Sequence, residues 1–251
     1  PPAVDSNRFT TEVEPFYVSN IKPFVILFLS QLILRKGYDR LILAAMRTFR
    51  KNDDVCIILK APPPSNQLQI DSMMKKLEAI KKEAGPSKVQ LYVNYSAIPV
   101  EKVPMVYQIV RKRVPDKIYP YLGTDETPRG VFCLPSLSEG VGIPYLEAMS
   151  SGVLTLGTSL TGSSFLNTSN SIIIESGPIV RNIDLELEHA LYRNSPMPNV
   201  DIDSISNSLL KAYNMNDKER EIIVNKGRLD AENFTYEKSC KAILKAIETH
   251  I

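Results

Sequence analysis

Glu139 and Glu147, separated by seven residues, frame a Gly-x-Gly in the stretch Leu134-Pro135-Ser136-Leu137-Ser138-Glu139-Gly140-Val141-Gly142-Ile143-Pro144-Tyr145-Leu146-Glu147-Ala148-Met149. An apolar strand ending at Pro135, a glycine-bearing loop, and Pro144 where a first helical turn accepts proline predict a strand–loop–helix junction. The first amides of such a helix lack partners inside it and point outward, with the positive end of the macrodipole behind them. That suits a phosphate or an electron-rich sugar oxygen. Gly140 and Gly142 let a ligand come close to the backbone. Ionised carboxylates only accept hydrogen bonds, and each can take two O–H groups at once, which is the chemistry for gripping vicinal hydroxyls. Residue types alone therefore describe a site for an anion together with a polyol. The plainer reading stays open at this level: Glu139 caps the loop and Glu147 is a first-turn glutamate favoured by the dipole, and the isolated spacing favours it.

The rest of the chain bounds what such a site can belong to. With 251 residues, 43% hydrophobic and 23% charged, it can bury a sizeable core, which excludes disorder, collagen-like repeats and a coiled coil. Thirty Lys and Arg against 28 Asp and Glu leave a net charge of +2. No long-range field then selects nucleic acid or anionic lipid, and a nucleic-acid reading would rest on Arg111-Lys112-Arg113 and Lys75-Lys76 alone. Cys56, Cys133 and Cys240 form neither a disulfide framework nor a zinc spacing, so a reducing, cytoplasmic compartment is expected and no metal site. His189 and His250 read as solvated rather than catalytic. The longest apolar run, Phe24 to Leu34, is interrupted by Ser30 and Gln31 and is too short to span a bilayer. The opening Pro1-Pro2-Ala3-Val4-Asp5 lacks the features of a signal peptide and reads as a cut inside a longer chain.

The elements that must position the glutamates read as alternating strands and helices. Phe24 to Leu29 is an unbroken apolar run, the pattern of a strand buried on both faces of a parallel sheet. A helix follows Gly37 and Asp39, with Leu41, Ile42, Ala45, Met46 and Phe49 on one stripe. Further strands are expected at Val55 to Leu59, Val89 to Val93, Gly130 to Leu134 and Val153 to Leu156. Helices are expected at Asp71 to Ala84, Glu101 to Arg113 and from about Ile143. From about Asp201 the pattern is helical only, over Ile202 to Met215, Asp217 to Glu232 and Tyr236 to Ile251, with Asp217 as a candidate N-cap. The fold class expected is α/β: a Rossmann-like, doubly wound parallel sheet of five or six strands closed by C-terminal helices. Pro62-Pro63-Pro64 reads as a rigid connector after the second strand.

The block Pro135-Ser136-x-x-Glu139-Gly140-x-Gly142-x-Pro144-x-x-Glu147-Ala148-Met149-x-x-Gly152 resembles the donor-site signature of retaining glycosyltransferases of family 4, which have the GT-B fold. Three other segments agree in order and spacing: Pro2-x-Val4-Asp5-x-x-x-Phe9 resembles the passage between that family's two domains, Phe24 to Gly37 its first C-terminal strand with a Lys-Gly turn (Arg35-Lys36-Gly37), and Phe234-Thr235-Tyr236 its Phe-Thr-Trp. The resemblance implies one half of a GT-B fold, with residues 1–20 as an interdomain linker segment and 21–251 as the C-terminal nucleotide-sugar-binding domain, the N-terminal acceptor domain being absent from this chain. It further implies that Glu147 binds the ribose hydroxyls of a nucleoside-diphosphate sugar. Glu139 contacts the donor sugar, and Gly140 and the amides of Val141, Gly142 and Ile143 meet sugar or diphosphate. Lys36 neutralises the departing diphosphate, so Glu139 and Lys36 are the catalytic pair, with no cofactor and no metal. The acceptor, whether glycan, lipid or protein, is left unnamed.

Two departures stand out. Where the family has Gly-Arg after the first strand, with the Arg a second diphosphate contact, this chain has Ser30-Gln31 at that donor-binding position, so a neutral amide replaces a cation, and Arg35, next to Lys36, could compensate as a donor-binding residue. Residues 111–130 form a basic and aromatic insertion that reads first as a solvated loop, with an acidic acceptor, a membrane surface or another subunit as its other readings, so peripheral membrane attachment is left open. These departures are also the motive for the alternative, a non-catalytic scaffold with a degraded donor site. Of the triplets at Asn94, Asn167 and Asn233, the first and last read as structural, and Asn167 to Ser171 as a segment near the family's donor loops.

Overall fold

The computed structural model describes residues 2–52, 54–111 and 130–249, so nearly all of the 111–130 insertion, together with His250, lies outside the described residues. The strands β1 (Phe24–Leu29), β2 (Val55–Lys60), β3 (Gln90–Asn94), β4 (Val131–Leu134), β5 (Thr155–Gly157) and β6 (Ile172–Ile173) form one sheet in the order β3-β2-β1-β4-β5-β6, with every pairing parallel. The unbroken apolar runs have the expected consequence. Phe24 to Phe28, Val55 to Leu59 and all of β4 are buried, whereas β3, an edge strand, is half-buried. Helices flank the sheet in two groups. One comprises α1 (Tyr38–Thr48), α2 (Gln67–Ala84) and α6 (Ile202–Asn214), and the other α3 (Val103–Gln108), α4 (Ile143–Ser150) and α7 (Asp217–Ala231). A last helix, α8 (Tyr236–Glu248), follows a cap in which Thr235 accepts the Lys238 amide. The fold class expected from the sequence is the one observed.

Three boundaries differ, each for a local reason. The helix expected over Glu101 to Arg113 is a 3-10 turn, Val100–Lys102, followed by the short α3, which stops at Gln108. The Val110 carbonyl is taken by the Gly130 amide at 3.0 Å, at the entry to β4, so it is not available to continue a helix. α2 starts at Gln67 rather than Asp71, because Asn66 caps it by accepting the Gln69 amide at 3.0 Å. The cap of α7 is Asn216, which accepts the Glu219 amide at 2.9 Å, and Asp217 is the first helical residue. An excursion not anticipated from the sequence joins β6 to α6: a two-residue hairpin of β7 (Ile179–Val180) and β8 (Met197–Pro198) enclosing α5 (Ile183–Glu188) and a 3-10 turn, Ala190–Tyr192.

The opening residues are docked. The Val4 amide donates to the Phe234 carbonyl at 2.8 Å, Ser239 Oγ to the Pro2 carbonyl at 2.9 Å, and Ser150 Oγ to the Phe9 carbonyl at 2.7 Å, so this segment bridges α4 and the start of α8.

Candidate functional site

Strand order reverses between β1 and β4, one half of the sheet running out to β3 and the other to β6. Loops leaving the carboxyl ends of two such strands diverge and leave a crevice, the usual place for a ligand in an open parallel sheet. The loop after β1 carries Ser30, Gln31, Arg35 and Lys36. The loop after β4 carries Glu139, Gly140, Val141 and Gly142 and runs into Ile143 at the start of α4. All the donor-site residues expected from the sequence except Glu147 thus lie on these two loops or at that helix start, and Glu147 lies one turn into α4.

The loops are locked together by backbone. Gly37 has φ 73, and a Cβ there would overlap the Pro135 carbonyl oxygen, so only glycine allows this approach. The Leu137 amide donates to the Arg35 carbonyl at 2.9 Å, and Ser136 Oγ donates to the same oxygen at 3.2 Å. From the other side the turn Thr161–Ser163 closes on Glu139: its amide donates to Thr161 Oγ1 at 3.0 Å, and its carbonyl accepts from the Gly162 amide at 2.8 Å. A Cβ on Gly162 would collide with the Gly140 carbonyl.

This packing brings Lys36 onto Glu139. The ammonium Nζ donates to Oε1 at 2.6 Å and to Oε2 at 2.8 Å, with the two residues 9% and 6% exposed. Burial lowers the Lys36 pKa, the hydrogen bond and charge of Glu139 pull it back up, and Arg35 pushes it down again. Two of the ammonium's three hydrogens are committed to Glu139, which leaves one.

Beside this pair, α4 begins at Gly142, a left-handed N-cap with φ 70 and no side-chain cap, so its first amides have no side-chain acceptor. Gly140 and Val141 are exposed, and a Cβ on Gly140 would meet open space. Half-buried Glu147 points at a different partner. Its Oε2 accepts the Tyr107 hydroxyl at 2.8 Å. Burial raises the Glu147 pKa, and the Tyr107 bond and the Arg8 charge oppose that.

Arg35 is not free in this structure. Its Nε donates to the Tyr192 hydroxyl at 3.1 Å, and its Nη1 donates to the Ser138 carbonyl. Gln31 is exposed, and Ser30 continues the ladder by donating its amide to the Lys60 carbonyl at 3.1 Å. The Asn167 to Ser171 segment spends its polar groups on itself and on α7, Asn170 Nδ2 donating to Asp230 at 2.9 Å. Sequence reading missed Tyr107, the turn at Thr161 and Gly162 as a clamp, and Glu188 and Tyr192. Of these, Thr161-Gly162 read as a turn after the fifth strand but not as a clamp, and Tyr107 left a signal, since a tyrosine on the buried side of a helix needs a partner for its hydroxyl.

The chain matches the family model described as glycosyl transferases group 1 over residues 10–180. A search of curated proteins returned no match. Among solved structures it is similar to the C-terminal domain of a glycosyl transferase group 1 family protein, LpcC, from Francisella tularensis (TM-score 0.61, 17% identity, 92% of this chain and 97% of that one). It is also similar to a glycosyltransferase from Rickettsia africae (TM-score 0.63, 13% identity, 98% and 55%) and to Anabaena HepE in complex with UDP and glucose (TM-score 0.62, 14% identity, 98% and 55%). The chain therefore spans the whole of an isolated C-terminal domain and about half the length of the other two. No helix among the described residues is long and apolar enough to cross a membrane. The sheet with its flanking helices is the Rossmann-like half of a GT-B fold, and with the family model matched over more than half of its length, the chain belongs to the glycosyl transferases group 1.

Proposed function

We propose that this chain is the donor-binding domain of a retaining, metal-independent glycosyltransferase, taking a nucleoside-diphosphate sugar and, with a further N-terminal domain, transferring the sugar to an acceptor hydroxyl. The observation that carries the reading is the buried Lys36–Glu139 pair beside the open, uncapped start of α4. As the bond from the anomeric carbon to the diphosphate breaks, its electron pair passes to a phosphate oxygen. A preorganised ammonium with one hydrogen to spare, together with the amides of Gly142 and Ile143, stabilises that charge. Glu139, held by Lys36 and by the turn at Thr161, borders the sugar, and the oxygen of Glu147 not taken by Tyr107 accepts from the ribose. Retention rests on the family resemblance. Anabaena HepE, in complex with UDP and glucose, supports a nucleoside diphosphate on this fold. A further domain accords with α8, whose Tyr236, Ile243, Leu244 and Ile247 are exposed along one face.

Thermal-shift and calorimetric titrations of the chain with UDP, GDP, ADP and their sugar conjugates test the reading. One nucleotide is expected to stabilise it by mass action. Glu147→Gln is expected to weaken that nucleotide by about 1–3 kcal/mol, the range for a charge-assisted hydrogen bond. Unchanged affinity in that variant refutes the ribose role. Absence of binding by every nucleotide, in this chain and in the full-length protein, refutes the donor reading in favour of a scaffold.

A further inference from the structure

The excursion 177–199 closes on itself. The Gly177 amide donates to the Asn199 carbonyl at 2.6 Å, the Asn199 amide donates to the Pro178 carbonyl at 2.9 Å, and β7 pairs with β8. Almost all of it lies beyond the residues matched by the family model. Its helix α5 is anchored by a single buried apolar side chain, Leu185, while Ile183 and Leu187 face solvent. Between α5 and the pair α1–α2 lies an open groove of about 480 Å³, walled by Tyr38, Asp39, Lys76 and Glu188 among others. An element held so sparsely by apolar packing is fixed by its polar contacts, and two of these land on the same short turn.

Glu188 Oε2 accepts the Leu34 amide at 2.8 Å, while its Oε1 lies 3.7 Å from Lys76. The Tyr192 hydroxyl accepts from Arg35 Nε at 3.1 Å, and the same guanidinium donates to the Ser138 carbonyl next to Glu139. Leu34, Arg35 and Lys36 are the whole of the 3-10 turn that carries the ammonium, and the Leu34 amide is one that the turn itself leaves unpaired. The chain of contacts therefore runs from the excursion through Arg35 to the carboxylate loop, and through Leu34 to the root of Lys36, without touching Lys36 itself.

We propose that Glu188 and Tyr192 are positioning residues, which hold the Leu34–Lys36 turn and clamp it through Arg35 to the Glu139 loop, so that the Lys36 ammonium is presented to the diphosphate. This rests on the donor reading above. It also gives Arg35 a structural task in place of the second diphosphate contact that the Ser30-Gln31 departure left to it.

The test compares nucleoside diphosphates with their monophosphates (UDP with UMP, GDP with GMP, ADP with AMP) on wild type, Glu188→Ala, Glu188→Gln and Tyr192→Phe, alongside amide hydrogen exchange of the same proteins. A misplaced ammonium reduces the preference for diphosphate and leaves base and ribose contacts alone. Glu188→Ala and Tyr192→Phe should therefore weaken the diphosphate about tenfold, the scale of one hydrogen bond to a charged group, with the monophosphate unchanged. Glu188→Gln keeps an acceptor for the Leu34 amide and should restore most of the preference. Exchange at Leu34 to Gly37 should quicken about tenfold in Glu188→Ala, with β2 unchanged. Equal losses for mono- and diphosphate, or unaltered exchange at Leu34 to Gly37, overturn the proposal. If wild type binds no nucleotide, the donor reading has failed, and the exchange measurement still decides whether the excursion holds the turn.

Discussion

Replacing Glu139 by leucine leaves the Lys36 ammonium buried with no counter-charge, and its cost can be bracketed. Both members are almost completely buried, at 9% and 6% exposure, and removing one partner of such a pair costs about 3–5 kcal/mol. The lysine can escape by losing its proton. Neutralising it at pH 7 against an ordinary value of 10.5 costs about 5 kcal/mol at 1.4 kcal/mol per pH unit, which sets a ceiling on that charge penalty. The ceiling falls with pH, to about 2 kcal/mol at pH 9. In this variant the folded lysine holds its proton less tightly than the unfolded one, so the unfolded chain binds more protons and stability rises with pH up to about 10.5. Lys36→Met leaves the Glu139 carboxylate buried without its counter-charge and should cost a similar amount, about 3–5 kcal/mol. The double variant Lys36→Met with Glu139→Leu removes both charges and should recover most of the loss, giving a coupling of at least about 2 kcal/mol. The chain has no tryptophan, so urea unfolding would be followed by far-ultraviolet circular dichroism at pH 6, 7.5 and 9. Single losses below about 1 kcal/mol that simply add, with no rise in stability with pH in Glu139→Leu, would mean that the pair behaves as a solvated surface bridge, and the reasoning would be refuted.

Other consequences follow from the same geometry. Gly37→Ala combines a left-handed backbone with overlap on the Pro135 carbonyl and should cost at least about 2 kcal/mol; Gly140→Ala, facing open space, should stay within about 0.5 kcal/mol, and urea midpoints compare them. Burial raises the Glu147 pKa above 4.5, so the folded chain holds that proton more tightly. Its stabilising contribution is full below pH 4.5 and is lost as pH rises through the folded-state value. Relative to Glu147→Gln, wild type should therefore lose stability over that window, as pH-dependent melting would show. Tyr107→Phe deletes the hydroxyl on Glu147 and should cost about 1–2 kcal/mol, with the loss largest where Glu147 is ionised; a loss independent of pH would disconnect the two groups.

The sheet was legible because β1, β2 and β4 are buried on both faces and so consist of unbroken apolar runs, and the start of α4 because glycine, glycine and proline mark a junction over a few residues. These signals act within a turn or a strand. What stayed hidden acts across the chain: Tyr107 meets Glu147 40 positions away, Thr161 meets Glu139 at 22, and Glu188 and Tyr192 reach Leu34 and Arg35 at 154 and 157. Lys36 and Glu139 are an intermediate case. Each was marked by its own motif, but their pairing, 103 positions apart, depends on Gly37 fitting against Pro135, a fact about backbone space that no periodicity records.

That pairing also bears on the neutral residue at position 31. Toward an incoming diphosphate the buried pair is close to neutral, since Glu139 cancels most of the Lys36 charge at short range. Arg35 keeps its charge but aims its Nε and Nη1 at Tyr192 and Ser138, and the Lys60 ammonium, at the end of β2, is aimed at the carbonyls of Ala61 and Ser96. Gln31 brings no charge. In the donor reading, the directed donors left among the described residues are then the remaining Lys36 hydrogen and the amides of Gly142 and Ile143. Directed donors lose value steeply with misalignment, whereas a cluster of free cations would attract an anion from any angle. A site with a neutral residue at position 31 therefore depends more on where the Lys36 ammonium points, so an excursion that grips the other two residues of its turn, Leu34 and Arg35, fits this particular chain.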